Sequence, residues 1–259
     1  MPTINENLTH WASYDWTNRG DEWSSVWGGT ENIWFGALLP RIFSMFPADH
    51  ILEIAPGFGR ITQYLKDRCK ALTLVDLTER CIDACRERFA ADRHINYIIN
   101  EGKSLPGVAD KSIDLVFSFD SLVHVELDVM QGYLTELARV LRPEGRAFLH
   151  HSNMAAFRRA NGMGFTIENK HWRGATVSGD LVSELCDVNG LRCYRQELVN
   201  WGCNDLTDSF TYIARQGSSR DHPRELVQNP RFMEEGILLS KQGYQTKPDS
   251  ILTQPRGEI

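Results

Sequence analysis

The order of apolar runs and amphipathic stretches between residues 50 and 215 predicts an α/β fold, a mostly parallel sheet with helices on both faces. Three observations carry this. Apolar, strand-like runs at 50–55, 71–76, 95–100 and 112–119 are separated by stretches with helical spacing. The run Ser112-Ile113-Asp114-Leu115-Val116-Phe117-Ser118-Phe119 is nearly continuous, as expected of a strand buried on both faces. A glycine turn, Ala55-Pro56-Gly57-Phe58-Gly59, stands between the first run and the helix that follows it. Sheets of this kind bind ligands at the carboxyl ends of their strands, so the residues just after each run are the ones to weigh.

Taken in chain order, residues 1–46 form an aromatic helical lid holding Trp11, Trp16, Trp23, Trp27 and Trp34, five of the seven tryptophans. A helix over 35–46 carries Pro40 inside it or at its edge. The α/β domain spans 47–217. Its helices fall at 60–67, 78–89 and 129–141, the last stopped by Pro143 and Gly145. A fifth strand covers 146–151, and a Gly- and Asn-rich loop follows over 153–174. A helix over 177–188 closes at Asn189-Gly190, and late strands cover 191–199 and 209–215. Residues 218–259 are polar and proline-containing and read as a C-terminal tail, helical only at 232–239.

The composition is that of an ordinary globular protein, 42% hydrophobic and 24% charged in 259 residues. A net charge of -6 argues against nucleic acid as the main partner, because phosphate binding calls for a basic patch. No apolar run is long enough to span a membrane, and the N-terminal stretch lacks the form of a signal peptide. Six scattered cysteines without a Cys-x-x-Cys pair suggest reduced thiols and a cytoplasmic protein.

The glycine turn lets backbone approach a ligand at a helix start, which by itself says only that an anionic or nucleotide group binds there. Asp76 ends the second strand, where an acid accepts hydrogen bonds from both ribose hydroxyls. Glu53, inside the first strand, is costly to bury unless a cation or donors pair with it. A bound ammonium group would serve. A nicotinamide-dependent oxidoreductase fits less well, since its fingerprint wants Gly or Ala where Thr62 stands.

With Glu53-Ile54-Ala55-Pro56-Gly57-Phe58-Gly59, Val75-Asp76-Leu77, Ser112-Ile113-Asp114-Leu115-Val116 and Leu137-Ala138-Arg139-Val140-Leu141-Arg142-Pro143-Glu144-Gly145, the chain resembles the class I S-adenosylmethionine-dependent methyltransferases over roughly residues 51–215. Further motifs resemble a bacterial small-molecule or glycan subgroup. The resemblance implies a Rossmann-like sheet of seven strands, the last antiparallel, and S-adenosyl-L-methionine as cofactor with S-adenosyl-L-homocysteine as product. It implies that Ala55, Pro56, Gly57 and Gly59 wrap the methionine part and Asp76 holds the ribose. Leu77 would pack on the adenine, bordered by Lys103, Ser104 and Leu105. Phe119 and Asp120 would line the methionine end. Ala55 stands where the family most often has glycine, and 100–103 lacks the aspartate that many members use for the adenine amino group.

On the acceptor side, His150 and His151 end the fifth strand, and only one can face the crevice. His151, nearer the strand end, is the preferred base, with His124 second; each could instead be structural. Asp120 and His124 could also be two metal ligands, but no compact third and fourth ligand is visible, so no metal is expected. The lid segment Trp23-Ser24-Ser25-Val26-Trp27-Gly28-Gly29 can bend over the sulfonium, with Trp27 part of an aromatic wall, although core packing is the blander reading of any one tryptophan. Arg158, Arg159, Lys170 and Arg173 could bind an acceptor anion or merely be solvated. The expectation is O-methylation of a small-molecule hydroxyl, on a sugar or natural product. N-methylation of an amine or amino sugar is the rival, a binding protein without turnover another, and a homodimer is an allowed assembly.

Overall fold

The computed structural model describes residues 2–241. Among these residues eight strands form one sheet in the order β3-β2-β1-β4-β5-β7-β6-β8. They are β1 (His50–Ile54), β2 (Ala71–Asp76), β3 (Ile95–Ile99), β4 (Ile113–Ser118), β5 (Leu141–Ser152), β6 (Leu191–Val199), β7 (Asp208–Arg215) and β8 (Glu225–Asn229). β7 is antiparallel to both of its neighbours, and the other seven strands run one way. The order reverses between β1 and β4, so their carboxyl ends open the crevice in which such sheets bind ligands.

Apolar layers cover both faces. One is built on the helices α4 (Thr62–Leu65) and α5 (Glu79–Arg88), together with α2 (Thr30–Ile33) and α3 (Leu39–Ile42). The other lies under α6 (Leu127–Val140) and α7 (Gly179–Val188). Thr78 and Ser178 cap α5 and α7 by accepting backbone N–H bonds, which is why these helices start where the sequence turns from β-rich to helical. The helix expected over 35–46 is longer, reaching from Thr30 to Met45, with a π-turn over Trp34–Leu38. Pro40 has no N–H to donate to the carbonyl one turn earlier, and the helix widens just upstream of it.

Two expectations are corrected. The segment after Val140 is not a turn before a strand: β5 begins at Leu141 and runs through Pro143 and Gly145, absorbing them as a register shift against β4. The sheet also has eight strands, not seven, because part of the expected tail is an edge strand. Glu225-Leu226-Val227-Gln228-Asn229 is largely exposed and lacks the apolar alternation of a strand. It pairs with β6 through backbone bonds and the Arg195–Glu225 ion pair at 2.7 Å. Helix α8 (Phe232–Lys241) then returns to the N-terminal segment. Gly236 makes this docking possible, since a Cβ there would stand 2.6 Å from Trp27 Nε1. The rest of the expected tail, 242–259, lies outside the described residues.

Candidate active site

Two cavities meet at the carboxyl end of β4. The first lies against Glu53, the turn at Ala55, Pro56 and Gly57, and the β2 end at Asp76 and Leu77. Phe119 and Asp120 bound it on the β4 side. Its outer wall is the N-terminal segment: Ile4, Asn7 and Trp11 from α1 (Ile4–Ser13), then Trp16, Arg19 and Trp23. The turn is tight enough that Ala55 and Gly57 both adopt positive φ, 56° and 57°. At Gly57 a side chain is also excluded by contact, because a Cβ would come within 2.9 Å of Trp16. Ala55 holds this conformation with a Cβ, at a cost of about 1–2 kcal/mol.

The acids of this cavity are poorly compensated. Glu53 is buried and accepts one bond from the protein, from Thr62 Oγ1 at 2.6 Å. Burial pushes its carboxyl up to about 7. Thr62, which disfavours the nicotinamide reading in sequence, is thus the residue that braces Glu53. Asp76 accepts from Thr78 N at 2.9 Å, Thr78 Oγ1 at 3.0 Å and Gly57 N at 3.2 Å, and burial still raises it to about 6. Two buried acids facing one cavity without a cation of their own fit a ligand that brings an ammonium and vicinal hydroxyls.

Five expected cofactor residues do not line this cavity. Trp27 is buried in the core between Trp201 and Phe232, with ring centroids at 5.1 and 5.5 Å; it turns inward because α8 covers it. Gly59 faces Phe89 and Cys85 behind the turn. Lys103 lies against Gly132 of α6, Ser104 donates to Glu101, and Leu105 is buried in the apolar layer under α6. The chain turns away from the cavity after Gly102, which lines it instead.

The second cavity, about 450 Å³, is an aromatic chamber. Trp11, Tyr14, Trp23, Trp172 and Trp201 supply rings, and Asp120, His10, His124, His171 and Arg173 supply polar groups. Trp11, Trp23 and Asp120 belong to both cavities. Of the four basic residues noted in the 153–174 region, Arg173 alone reaches the chamber, and its guanidinium is drawn inward to Asp208 at 2.9 Å.

The histidines fall out differently from the sequence expectation. His151 is buried and faces away from both cavities, bonded to Thr211 Oγ1 at 2.7 Å and to the Ser152 carbonyl at 2.8 Å. Side chains alternate along β5, and the face that meets Asp120 and Trp201 belongs to His150, not His151. His150 Nδ1 accepts from the Asp120 backbone N–H at 3.1 Å, and its Nε2–H therefore donates to Asp208 Oδ1 at 2.9 Å. Neither nitrogen is free for a proton from an acceptor. Burial alone would raise Asp208, but Arg173 and His150 overcome it and hold the carboxyl at about 2. His124 donates Nδ1–H to the Trp172 carbonyl at 3.1 Å, which leaves the lone pair on Nε2. Burial, and then Arg173, lower its pKa to about 4. Among the described residues no group of three or more His, Cys, Asp or Glu side chains could hold a metal ion, and no helix is long and apolar enough to cross a membrane.

The residue that sequence reasoning missed is Arg60, next after the glycine turn. It is buried, pairs with Asp120 at 2.8 Å and donates to Ser24 Oγ at 2.8 Å. Its signal was a single arginine at a helix start, which nothing local distinguishes from a surface charge.

Residues 52–149 match a protein family described as a methyltransferase domain. The chain is 27% identical over 203 residues to nodulation protein S of Sinorhizobium fredii (strain NBRC 101917 / NGR234), a match covering 76% of this chain and 88% of that protein. It is 31% identical over 110 residues to the malonyl-[acyl-carrier protein] O-methyltransferase of Serratia marcescens, covering 42% and 41% of the two chains. Among solved structures, the N-methyltransferase NodS from Bradyrhizobium japonicum WM9 in complex with S-adenosyl-L-homocysteine superposes with a TM-score of 0.58 at 18% identity, over 82% of this chain and 98% of that one. Sheet order and the glycine turn with Glu53 and Asp76 around one cavity agree with the domain match: residues 52–149 form a methyltransferase domain, in a fold shared with S-adenosylmethionine-dependent methyltransferases.

Proposed function

We propose that the chain transfers the methyl group to an amine nitrogen of a small molecule held in the aromatic chamber. The observation that carries this reading is the state of the three histidines. A hydroxyl acceptor needs a base with a pKa near the working pH. His151 points elsewhere, His150 has both nitrogens engaged, and His124 at about 4 is too weak a base for that task. An amine that binds neutral brings its own lone pair. A chamber walled by Trp11, Trp23, Trp172 and Trp201 also suits stacking on an amino-substituted ring.

In this reading Glu53 receives the ammonium of the cofactor and Asp76 its ribose hydroxyls. Leu77 lies on the adenine side, and Phe119 and Asp120 stand at the methyl end. The amine lone pair forms the new N–C bond as the C–S bond breaks, and the surplus proton leaves to water. His124 Nε2 accepts an N–H and orients the acceptor. Most of the acceleration comes from holding two reactants in line. The description N-methyltransferase belongs to a structural relative and is compatible with this choice.

A second reading, O-methylation of a sugar or natural-product hydroxyl, is favoured by one observation: the His124 Nε2 lone pair has no protein partner among the described residues and can accept an O–H as well. The test is a panel of amines and their hydroxyl analogues, incubated with S-adenosylmethionine and read by mass spectrometry for the added methyl and its position. Turnover of amines alone supports the first reading. Methylation confined to hydroxyls overturns it in favour of the second.

A further inference from the structure

Arg60 sits where the two cavities meet and makes four contacts, none of which the methyl-transfer chemistry requires. Its NH2 donates to Asp120 Oδ2 and its NH1 to Ser24 Oγ, both at 2.8 Å. Its guanidinium carbon stands 5.4 Å from the Trp23 ring and 5.6 Å from the Phe119 ring. One prong therefore holds the end of β4, and the other holds the N-terminal segment that walls the cofactor cavity. The planar fork suits this double duty, because its donors are fixed relative to one another.

The other ties between that segment and the domain are weaker. Arg80 donates to the Ala12 and Tyr14 carbonyls from an exposed position, and Asn7 donates to the His124 carbonyl at 2.8 Å. Among the described ties of residues 4–30 to the domain, the Arg60 fork is the one that is charged and almost fully buried, with side-chain exposures of 6% for Arg60 and 10% for Asp120. An ion pair in such surroundings is held by geometry, and breaking it leaves an uncompensated buried charge. The held element is bounded by left-handed glycines, Gly20 at φ 84° before it and Gly28 at φ 79° after it. Ser24 in turn donates to Thr30 Oγ1 at 3.2 Å, and Thr30 donates its one hydroxyl proton to Asp21 at 2.6 Å. The 21–30 stretch is thereby one hydrogen-bonded unit anchored to the domain at Arg60.

Asp120, the other end of the fork, carries a backbone φ of 60°, a conformation that costs a non-glycine residue energy. It is held there from two sides, by Arg60 on its carboxylate and by His150 on its N–H. We propose that Arg60 is a positioning residue that locks the N-terminal wall over the cofactor cavity and, with the same fork, fixes Asp120 at the opening into the acceptor chamber. Exchange of cofactor for product requires the wall to part, so the fork sets how fast a bound nucleoside leaves.

The test uses S-adenosylhomocysteine alone, so it does not depend on whether the acceptor is an amine or a hydroxyl. Binding is followed by stopped-flow tryptophan fluorescence, for which Trp11, Trp16 and Trp23 in the wall are built-in reporters. The intercept of observed rate against ligand concentration gives the dissociation rate. Arg60→Lys keeps the charge and loses the fork; Ser24→Ala removes only the prong on the wall. Dissociation is expected to be at least tenfold faster in Arg60→Lys and three- to fivefold faster in Ser24→Ala. The double variant should be no faster than Arg60→Lys, since both changes cut one tie. Dissociation within twofold of the parent in Ser24→Ala overturns the proposal even if Arg60→Lys fails to fold. So does a double variant whose acceleration is the product of the two single ones.

Discussion

Glu53→Gln tests whether the site stores energy for its ligand. In the ligand-free protein the Glu53 carboxyl is raised from 4.5 to about 7, chiefly by burial. The folded chain therefore keeps this proton at pH values where the unfolded chain has lost it. Stability is undiminished below about pH 4.5 and falls as pH rises toward 7, because the unfolded state then binds fewer protons than the folded one. A shift of about 2.5 units at about 1.4 kcal/mol each makes the full penalty roughly 3 kcal/mol, reached above pH 7. Gln has nearly the same shape, can still accept from Thr62, and cannot ionise. Urea unfolding without ligand should thus find Glu53→Gln more stable than the parent by roughly 2–3 kcal/mol at pH 8 and by under about 1 kcal/mol at pH 5. Taking the difference between the two proteins cancels every other titrating group. Calorimetry with S-adenosylhomocysteine should in turn show at least tenfold weaker binding by the variant at pH 8, since the buried anion it removes is what a ligand ammonium compensates. A variant no more stable than the parent at pH 8, or a stability difference equal at both pH values, would refute the argument that Glu53 is a strained, uncompensated acid.

Further tests separate the corrected residues from the retained ones. His151→Gln should lower stability by about 1–3 kcal/mol through its buried bonds while leaving turnover at saturating substrate, and its pH profile, unchanged; a loss of turnover would return His151 to the site. Trp27→Phe should cost about 1–2 kcal/mol in urea unfolding with S-adenosylhomocysteine affinity within twofold of the parent, because this ring packs under α8 and not on the cavity. Asp208→Asn leaves the Arg173 guanidinium buried without its anion and should destabilise by about 3–5 kcal/mol, measured by the same unfolding curves. The parent's Asp208 is held at about 2, so its contribution persists above pH 4 and is lost only as pH falls through 2.

Much of the architecture and the cofactor side could be read from the chain itself. Strand and helix periods reflect short-range geometry, and Ala71–Asp76 and Leu191–Val199 begin and end where their apolar patterns do. The glycine turn, Glu53 and Asp76 are adjacent to strand ends, so their convergence follows from the α/β topology once the strands are placed. What tertiary structure alone decided depended on contacts between residues far apart in the chain. Pairing with β6 makes a strand of 225–229, whose own pattern argues against one. Trp27 turns into the core because a helix some 200 positions later covers it, and Gly236 lets that helix come close. The choice between His150 and His151 hung on which face of β5 looks toward the crevice, and pairing with β7, not nearness to the strand end, sets that face. Arg60 acquired its place from Ser24, Asp120 and two aromatic rings, partners that only the folded chain brings together. The sequence by itself determined the fold and the acids of the cofactor cavity, because both are written in local period and position. The wall over that cavity and the shape of the acceptor chamber were decided by packing across the chain, which no local pattern encodes.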